Sequence, residues 1–295
     1  ILNLRTASRV IKKICSFELL SEKDIYSNAI NIKWDNIFSP QMSFKVHSII
    51  SDNSFKNSMY LSQILKDAVV DKFRKANGQR PNIDTEHPDV TLILRAERHL
   101  KDLQRISLFV DLCGSPLHER GYRVSTVTAP LKENLAAGIL LLSGWGAESG
   151  VLVDTMCGSG TFLIEGAMIK YDIPPSFIKI QKENAWAIKK LKFLSSNTSL
   201  SKAFDDEIAD CKRKTLDGLQ RLKKDTQCIY GLDLDKKAVN ASTENLLMAG
   251  MKDSIKVELH DSLTAPKNNP DPKPRSIVIC NPPYGERIGD IEKLD

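Results

Sequence analysis

From Val151 onward the chain repeats one grammar: an apolar run, a turn of small or acidic residues, then a segment of helical spacing. The first pass is VLVDTMCGSGTFLIEGAMI and the second CIYGLDLDKKAVNASTENLLMAG; KVELHDSL and SIVICNPPYGERIG supply two further strands with their exits. Strands joined through helices cannot pair as tight hairpins, so this order implies an α/β unit built on a mostly parallel sheet. Between the first two passes, Tyr171 to Asp225 reads as a long, Lys-rich helical insertion.

The first 115 residues read differently. FKVHSII from Phe44 alternates as a strand. Met59, Leu61, Ile64, Leu65, Ala68, Val69 and Phe73 recur at helical spacing over Ser58 to Lys75, and Asn77-Gly78 ends that helix. VTLILRA (Val90 to Ala96) and RISLFVDL (Arg105 to Leu112) are two more strands, so residues 1–115 form a small α+β domain. Residues 116–150 connect it to the α/β domain at 151–295. Within the connection, APLKE starts a helix with Pro130 in its first turn and an apolar side of Leu135, Ala136, Ile139, Leu140 and Leu142, and Gly144 closes it.

A length of 295 residues favours two such units. The longest apolar run, Ile139 to Leu142, falls far short of the roughly 20 residues that cross a bilayer, and no signal-peptide pattern opens the chain. The six cysteines (Cys15, Cys113, Cys157, Cys211, Cys228 and Cys280) are scattered without a Cys-x-x-Cys pair, which gives no metal site and fits reduced, mostly buried thiols in a cytoplasmic setting. A net charge of +5 permits a polyanionic partner without requiring one. Lys72, Arg74, Lys75, Arg80, Arg95, Arg98, Lys101, Arg105, Arg120 and Arg123 form either an RNA-facing surface or an ordinary solvated face. Ile1 opens in mid-element and Asp295 follows a motif expected in mid-domain, so the chain reads as a fragment.

Three strand exits carry the chemistry. In Asp154-Thr-Met-Cys157-Gly158-Ser-Gly160-Thr161, small residues let the backbone approach a ligand, and the helix start near Phe162 favours negative charge. An ordinary tight turn has the same appearance. Gly231-Leu-Asp233-Leu234-Asp235 ends the next strand, where the Asp233 carboxylate can accept hydrogen bonds from two ribose hydroxyls and Asp235 can cap the helix starting at Lys236. Asp261, after KVELH, is either a contact for an adenine amino group or a turn residue.

The third exit, Asn281-Pro282-Pro283-Tyr284, is the most informative. Two prolines force the chain out of the sheet with a rigid backbone. The Asn281 side-chain oxygen and the Pro282 carbonyl can both accept hydrogen bonds from an NH2 group, aiming its nitrogen lone pair at a methyl donor, while Tyr284 stacks on the base that bears it. No general base is evident, and none is needed, since the amine becomes acidic as it is alkylated.

With these motifs in view, the chain resembles the bacterial 23S ribosomal RNA guanine-N2 methyltransferases that join a THUMP domain to a Rossmann-like methyltransferase domain. The resemblance runs over nearly the whole chain, through LNLRTASRV, RPNIDTEHPDV, SLFVDLCGSPLHERGYR, APLKENLAAGILLLSGW, DTMCGSGTFLIEGA and NPPYGERIG. It implies S-adenosylmethionine as cofactor, contacted by Asp154, Cys157, Gly158, Gly160, Thr161, Asp233 and Leu234, with Asp261 near the adenine. It further implies that Asn281, Pro282, Pro283 and Tyr284 hold the guanine amine and that the THUMP half grips ribosomal RNA, with no membrane partner. The family's N-terminal ferredoxin-like segment and the last strands of its methyltransferase sheet are mostly missing from this sequence.

Several rivals share parts of the pattern. Transfer RNA is the alternative substrate, and Asn-Pro-Pro-Tyr also serves DNA adenine and protein glutamine methylation. An RNA-binding module without catalysis would show a degraded turn or a lost Asn-Pro-Pro-Tyr, and neither is seen. A dinucleotide oxidoreductase would need Gly-x-Gly-x-x-Gly, where this chain has Leu163 at the last position.

Overall fold

The structure is a computed structural model that describes residues 1–51, 57–100, 103–128, 130–182, 185–225, 228–262, 264 and 273–282, with only the backbone of residues 77, 99, 100 and 103. It divides into two compact units that are discontinuous in sequence. Unit one comprises Ile1–Ser8, Leu117–Glu183 and Asp206–Asp295, and unit two Arg9–Pro116 and Asn184–Asp205.

Unit two is a four-stranded mixed sheet in the order β1-β4-β3-β2. Strand β1 (Ile11–Leu19) and β4 (Leu103–Asp111) are antiparallel, as are β4 and β3 (Val90–Leu100), whereas β2 (Phe44–Ile50) runs parallel to β3 with Phe44 opposite Val90. Helices α1 (Lys23–Ala29) and α2 (Ser58–Asn77) cover it. The Asn57 side chain accepts from the amides of Met59 and Tyr60 at 2.9 and 3.2 Å, and Gly78, at φ +71°, stops α2 in a conformation that costs glycine little. Leu61, Leu65, Ala68, Val69 and Phe73 turn inward from α2, and Phe38 packs between Phe44 and Phe73 with ring centroids 5.7 and 5.2 Å away.

Unit one carries an all-parallel sheet in the order β7-β6-β5-β8, namely Lys256–Leu259, Ile229–Asp233, Leu152–Asp154 and Ile277–Ile279. Helices α3 (Glu133–Leu142), α4 (Thr161–Lys170) and α7 (Lys236–Met248) belong to it. Helix α4 is buried on nearly every side, and at Gly166 an added Cβ would lie 2.5 Å from Leu152 Cδ2, so glycine there lets α4 close onto β5.

The structure departs from the sequence reading in several places. Residues 1–8 group with unit one, because the Arg5 guanidinium donates to the carbonyls of Met168 and Ile173 at 3.1 and 2.9 Å. Residues 184–205 group with unit two, where Lys190 pairs with Asp89 at 2.6 Å and the Lys192 amide donates to the Ile37 carbonyl at 2.9 Å. Within 171–225 the long helix is confined to α6 (Thr198–Lys224), and short helical turns and α5 (Lys192–Ser195) precede it.

On α3 the inward residues are Glu133, Ala136, Ala137 and Leu140, whereas Leu135 and Leu142 are 53% and 90% exposed. The Glu133 carboxylate bonds to Arg123 on the same buried face as Ala136, Ala137 and Leu140. Pro130 precedes the N-cap, Lys132, instead of occupying the first turn. Arg120 and Arg123 leave the basic surface altogether: Arg120 is 2% exposed and paired with Glu165 at 3.2 Å, and Arg123 is drawn in toward Glu133. Lys101 lies outside the described residues.

Candidate active site

Because the four described strands of unit one are parallel, Asp154, Asp233 and Asn281 all emerge at one edge of the sheet. The chain passes from β5 to β6 and β7 on one side, then returns to β8 on the other. The carboxyl ends of β5 and β8 therefore flank a topological switch point, the place where open α/β sheets take ligands.

Backbone bonds attach the turn after β5 to both neighbours. The Thr155 amide donates to the Ile279 carbonyl of β8 at 3.1 Å, and the Cys157 amide to the Leu232 carbonyl of β6 at 2.9 Å. The Gly158 amide donates to Asp233 Oδ2 at 2.8 Å, and the Asp235 amide to Asp233 Oδ1 at 2.9 Å. Each Asp233 oxygen has a lone pair left, so the carboxylate keeps capacity for two further donors. Asp235 caps α7 through the Lys237 amide at 2.8 Å, as its position after the strand predicts. Leu234, between the two aspartates, is 72% exposed.

Asp154 is 1% exposed and accepts a hydrogen bond from the Met156 amide at 3.2 Å. Burial, reinforced by the charge of Asp233, pushes its carboxyl up to about 7 against the opposing effect of that bond. Cys157 is also buried, and burial raises its thiol to about 12, which makes it a packing group and not a nucleophile.

Gly158 and Gly160 adopt φ +54° and +79°, the left-handed region that favours glycine. Among the described residues no side chain caps the start of α4. The Thr161 hydroxyl accepts from Arg123 at 3.1 Å.

Asp261, partly buried beyond β7, sits in a turn in which its carbonyl accepts from the Thr264 amide at 3.0 Å. Asn281 is half-buried at the end of β8, beside the turn that follows Asp154, and Pro282 is exposed. Pro283 and Tyr284 lie outside the described residues. The structure thus gathers Asp154, Cys157, Gly158, Gly160, Thr161 and Asp233 into one turn-and-strand cluster with Asn281 next to it.

Sequence reasoning missed three residues that hold this cluster: Arg123, Ser242 and Asn245. Arg123 donates to Ser159 Oγ at 2.9 Å as well as to Thr161, Ser242 donates to the Gly158 carbonyl at 2.9 Å, and Asn245 donates to the Ser159 carbonyl at 2.9 Å. A signal existed for the last two, since Ser242 and Asn245 fall on the face of α7 that Ala238, Ala241 and Leu246 bury.

A family model described as RMKL-like, methyltransferase domain, matches residues 120–295. The chain belongs to that family. A THUMP domain model matches residues 20–99, within the mixed sheet and helices of unit two. This RMKL-like chain is 35% identical over 296 residues to a protein of Syntrophotalea carbinolica named ribosomal RNA large subunit methyltransferase K/L, covering 98% of this chain and 39% of that one. It thus spans about two fifths of the length of the curated relatives it matches.

Among solved structures, it matches a putative methyltransferase complexed with SAH at 27% identity and a TM-score of 0.72, over 99% of this chain and 70% of the other. A possible methylase from Clostridium difficile 630 matches at 28% identity and 0.73, over 97% and 69%. The fold is that of Rossmann-like methyltransferases with an N-terminal THUMP domain. No helix among the described residues is long and apolar enough to cross a membrane.

Proposed function

We propose that this chain transfers a methyl group from S-adenosylmethionine to the exocyclic N2 amine of a guanosine in large-subunit ribosomal RNA, in a cytoplasmic setting. The observation that carries the reading is the adjacency, across the ends of β5 and β8, of the Asp154-to-Thr161 turn and Asn281.

The residues fit the cofactor. Among the described residues no cation is bonded to the buried carboxyl of Asp154, which a positively charged ligand would compensate. The uncapped start of α4 suits a carboxylate, and the free lone pairs of Asp233 suit the ribose hydroxyls. Bound there, the cofactor supplies an electrophilic methyl on a sulfonium sulfur.

Asn281 does the orienting. Among the described residues its side chain has no partner, which leaves the amide oxygen available to accept from the guanine amine beside the Pro282 carbonyl. Two acceptors on one NH2 group direct its lone pair away from them, toward the methyl donor. With the donor bound, methyl transfer from sulfur to that nitrogen would be the chemistry supplied, and Asn281 with the Pro282 carbonyl would hold the amine until its proton is lost to water. Positioning carries the catalysis.

The ribosomal substrate is supported by the names of the curated relatives and by the THUMP match, a module for which RNA is the implied partner. The test is methyl transfer from radiolabelled S-adenosylmethionine to protein-free ribosomal RNA and, separately, to bulk transfer RNA, with nucleoside analysis. N2-methylguanosine from ribosomal RNA alone is the expected product. Label in transfer RNA alone would replace the substrate, and a different methylated nucleoside would replace the acceptor atom.

A further inference from the structure

Two polar side chains are fully buried on the packing face of α7, a place where helices carry apolar residues. Burying an amide is unfavourable unless its donors and acceptors all find partners. Asn245 achieves this with four bonds. Its Oδ1 accepts from the amides of Val124 and Ser125 at 2.8 and 3.0 Å, and its Nδ2 donates to the carbonyls of Ser125 and Ser159 at 2.8 and 2.9 Å. One side chain therefore joins three segments distant in sequence: α7, the stretch 124–125, and the glycine turn after β5.

The neighbouring contacts point the same way. Ser242, three residues earlier on the same face, holds the Gly158 carbonyl at 2.9 Å. Arg123, at the head of the 124–125 stretch, reaches Ser159 Oγ and Thr161 Oγ1, and Val127 Cγ2 lies 3.6 Å from where a Cβ on Gly158 would stand. No peptide bond described here is cis, so each carbonyl points opposite to the N–H that follows it. With the Gly158 carbonyl held by Ser242, the Ser159 N–H faces away from that contact. With the Ser159 carbonyl held by Asn245, the Gly160 N–H meets the Cys157 carbonyl at 2.8 Å. The two side chains of α7 thus set the peptide planes of the turn.

We infer that Asn245 is a positioning residue for the methyl donor, acting through the Ser159 carbonyl and the 124–125 backbone to hold the glycine turn in its ligand-ready form. The inference rests on the reading of that turn as the donor site. Its mechanism is preorganisation: a turn already held in place loses less conformational freedom when a ligand binds.

The experiment is calorimetric titration of the full chain with S-adenosylhomocysteine, run below the melting temperature of every variant, for the unaltered protein, Asn245→Ala, Asn245→Asp, Thr243→Ala and Asp233→Ala. Asn245→Asp keeps the acceptor but loses both donors, so it loses the bond to Ser159. Among the described residues Thr243 bonds only within its own helix, to the Val239 carbonyl at 2.8 Å, and serves as control. Both Asn245 variants should bind about tenfold more weakly, the loss expected from unpairing a buried carbonyl, with Thr243→Ala unchanged.

In turnover assays the same variants should raise KM for the methyl donor and leave KM for RNA alone, a split that a general loss of stability would not produce. Affinity in both Asn245 variants within about twofold of the unaltered protein, alongside a lowered Tm, overturns the inference. Should Asn245→Ala fail to fold, Ser125→Pro decides instead, because it deletes one amide that Asn245 holds in a half-buried loop; unchanged affinity there is equally fatal. The donor-site reading fails separately, if the unaltered protein binds no S-adenosylhomocysteine or if Asp233→Ala binds it as well as the unaltered protein does.

Discussion

The amide of Gly158 donates to Asp233 Oδ2 at 2.8 Å, which ties the glycine turn after β5 to the end of β6. The bond makes Asp233 both a ligand candidate and a structural anchor. Its other oxygen holds the Asp235 amide at 2.9 Å, so two backbone donors depend on one carboxylate.

Asp233→Ala should therefore weaken S-adenosylhomocysteine binding and lower the Tm together, since it removes the acceptors proposed for the ribose hydroxyls and unpairs two amides. Asp233→Asn, with one carbonyl oxygen left, should fall between. Calorimetric titration with parallel melting curves reads both effects. Unchanged affinity in Asp233→Ala would show that the ribose binds elsewhere.

Asn281→Ala should abolish methyl transfer while leaving cofactor affinity within about threefold, because its proposed work is on the acceptor amine alone. Single-turnover rates and a binding titration on the same preparation test this. Near-normal turnover would remove Asn281 from the mechanism.

The carboxyl of Asp154, pushed by burial to about 7, gives a pH dependence with a definite sign. Between the ordinary carboxyl range and pH 7 the folded protein binds more protons than the unfolded chain. Stability from this group therefore falls as pH rises through that window and is level above it. A cationic ligand favours the ionised form, so S-adenosylmethionine should bind more tightly as pH goes from 6 to 8, with proton release. S-adenosylhomocysteine, which lacks the sulfonium charge, should show a smaller rise. Equal pH dependence for the two would place the sulfonium away from Asp154.

Arg120 and Glu165, 1% and 0% exposed at the side chain, form a buried pair at 3.2 Å. Arg120 also donates to the carbonyls of Leu117 and Arg5, and burial raises the Glu165 carboxyl. Arg120→Ala should destabilise by about 3–5 kcal/mol, the cost of leaving one buried charge unpaired. The double variant Arg120→Met, Glu165→Met should recover much of that loss. Urea unfolding compares them, and a single variant within about 0.5 kcal/mol of the parent would show the pair to be energetically idle.

Much of the parallel sheet could be read from residues near one another in the chain. An apolar run followed by Gly158 and Gly160, an aspartate at a strand's end, or two prolines after Cys280 each bias the backbone locally, and the fold keeps those biases. Strand β1 was not legible, because it is an edge strand with mostly exposed side chains and a shifted register between Lys13 and Cys15, which erases the alternation. The rotation of α3 was also hidden. Leu135, Ile139 and Leu142 are as apolar as a core requires, yet they face outward while Glu133, paired with Arg123, lies inward with Ala136, Ala137 and Leu140.

The sequence by itself determined the strand-and-helix order, the turns at the strand ends and the residue types at the site, because glycine, proline and aspartate act on the backbone within a few residues of themselves. Only the tertiary structure decided what holds the site together. Arg123 with Thr161 and Asn245 with Ser159 pair across long stretches of chain, and Arg120 abandons the basic surface for Glu165. Such pairings are chosen by burial: once folding removes water from a polar group, a partner brought close in space replaces it, whatever their separation in sequence.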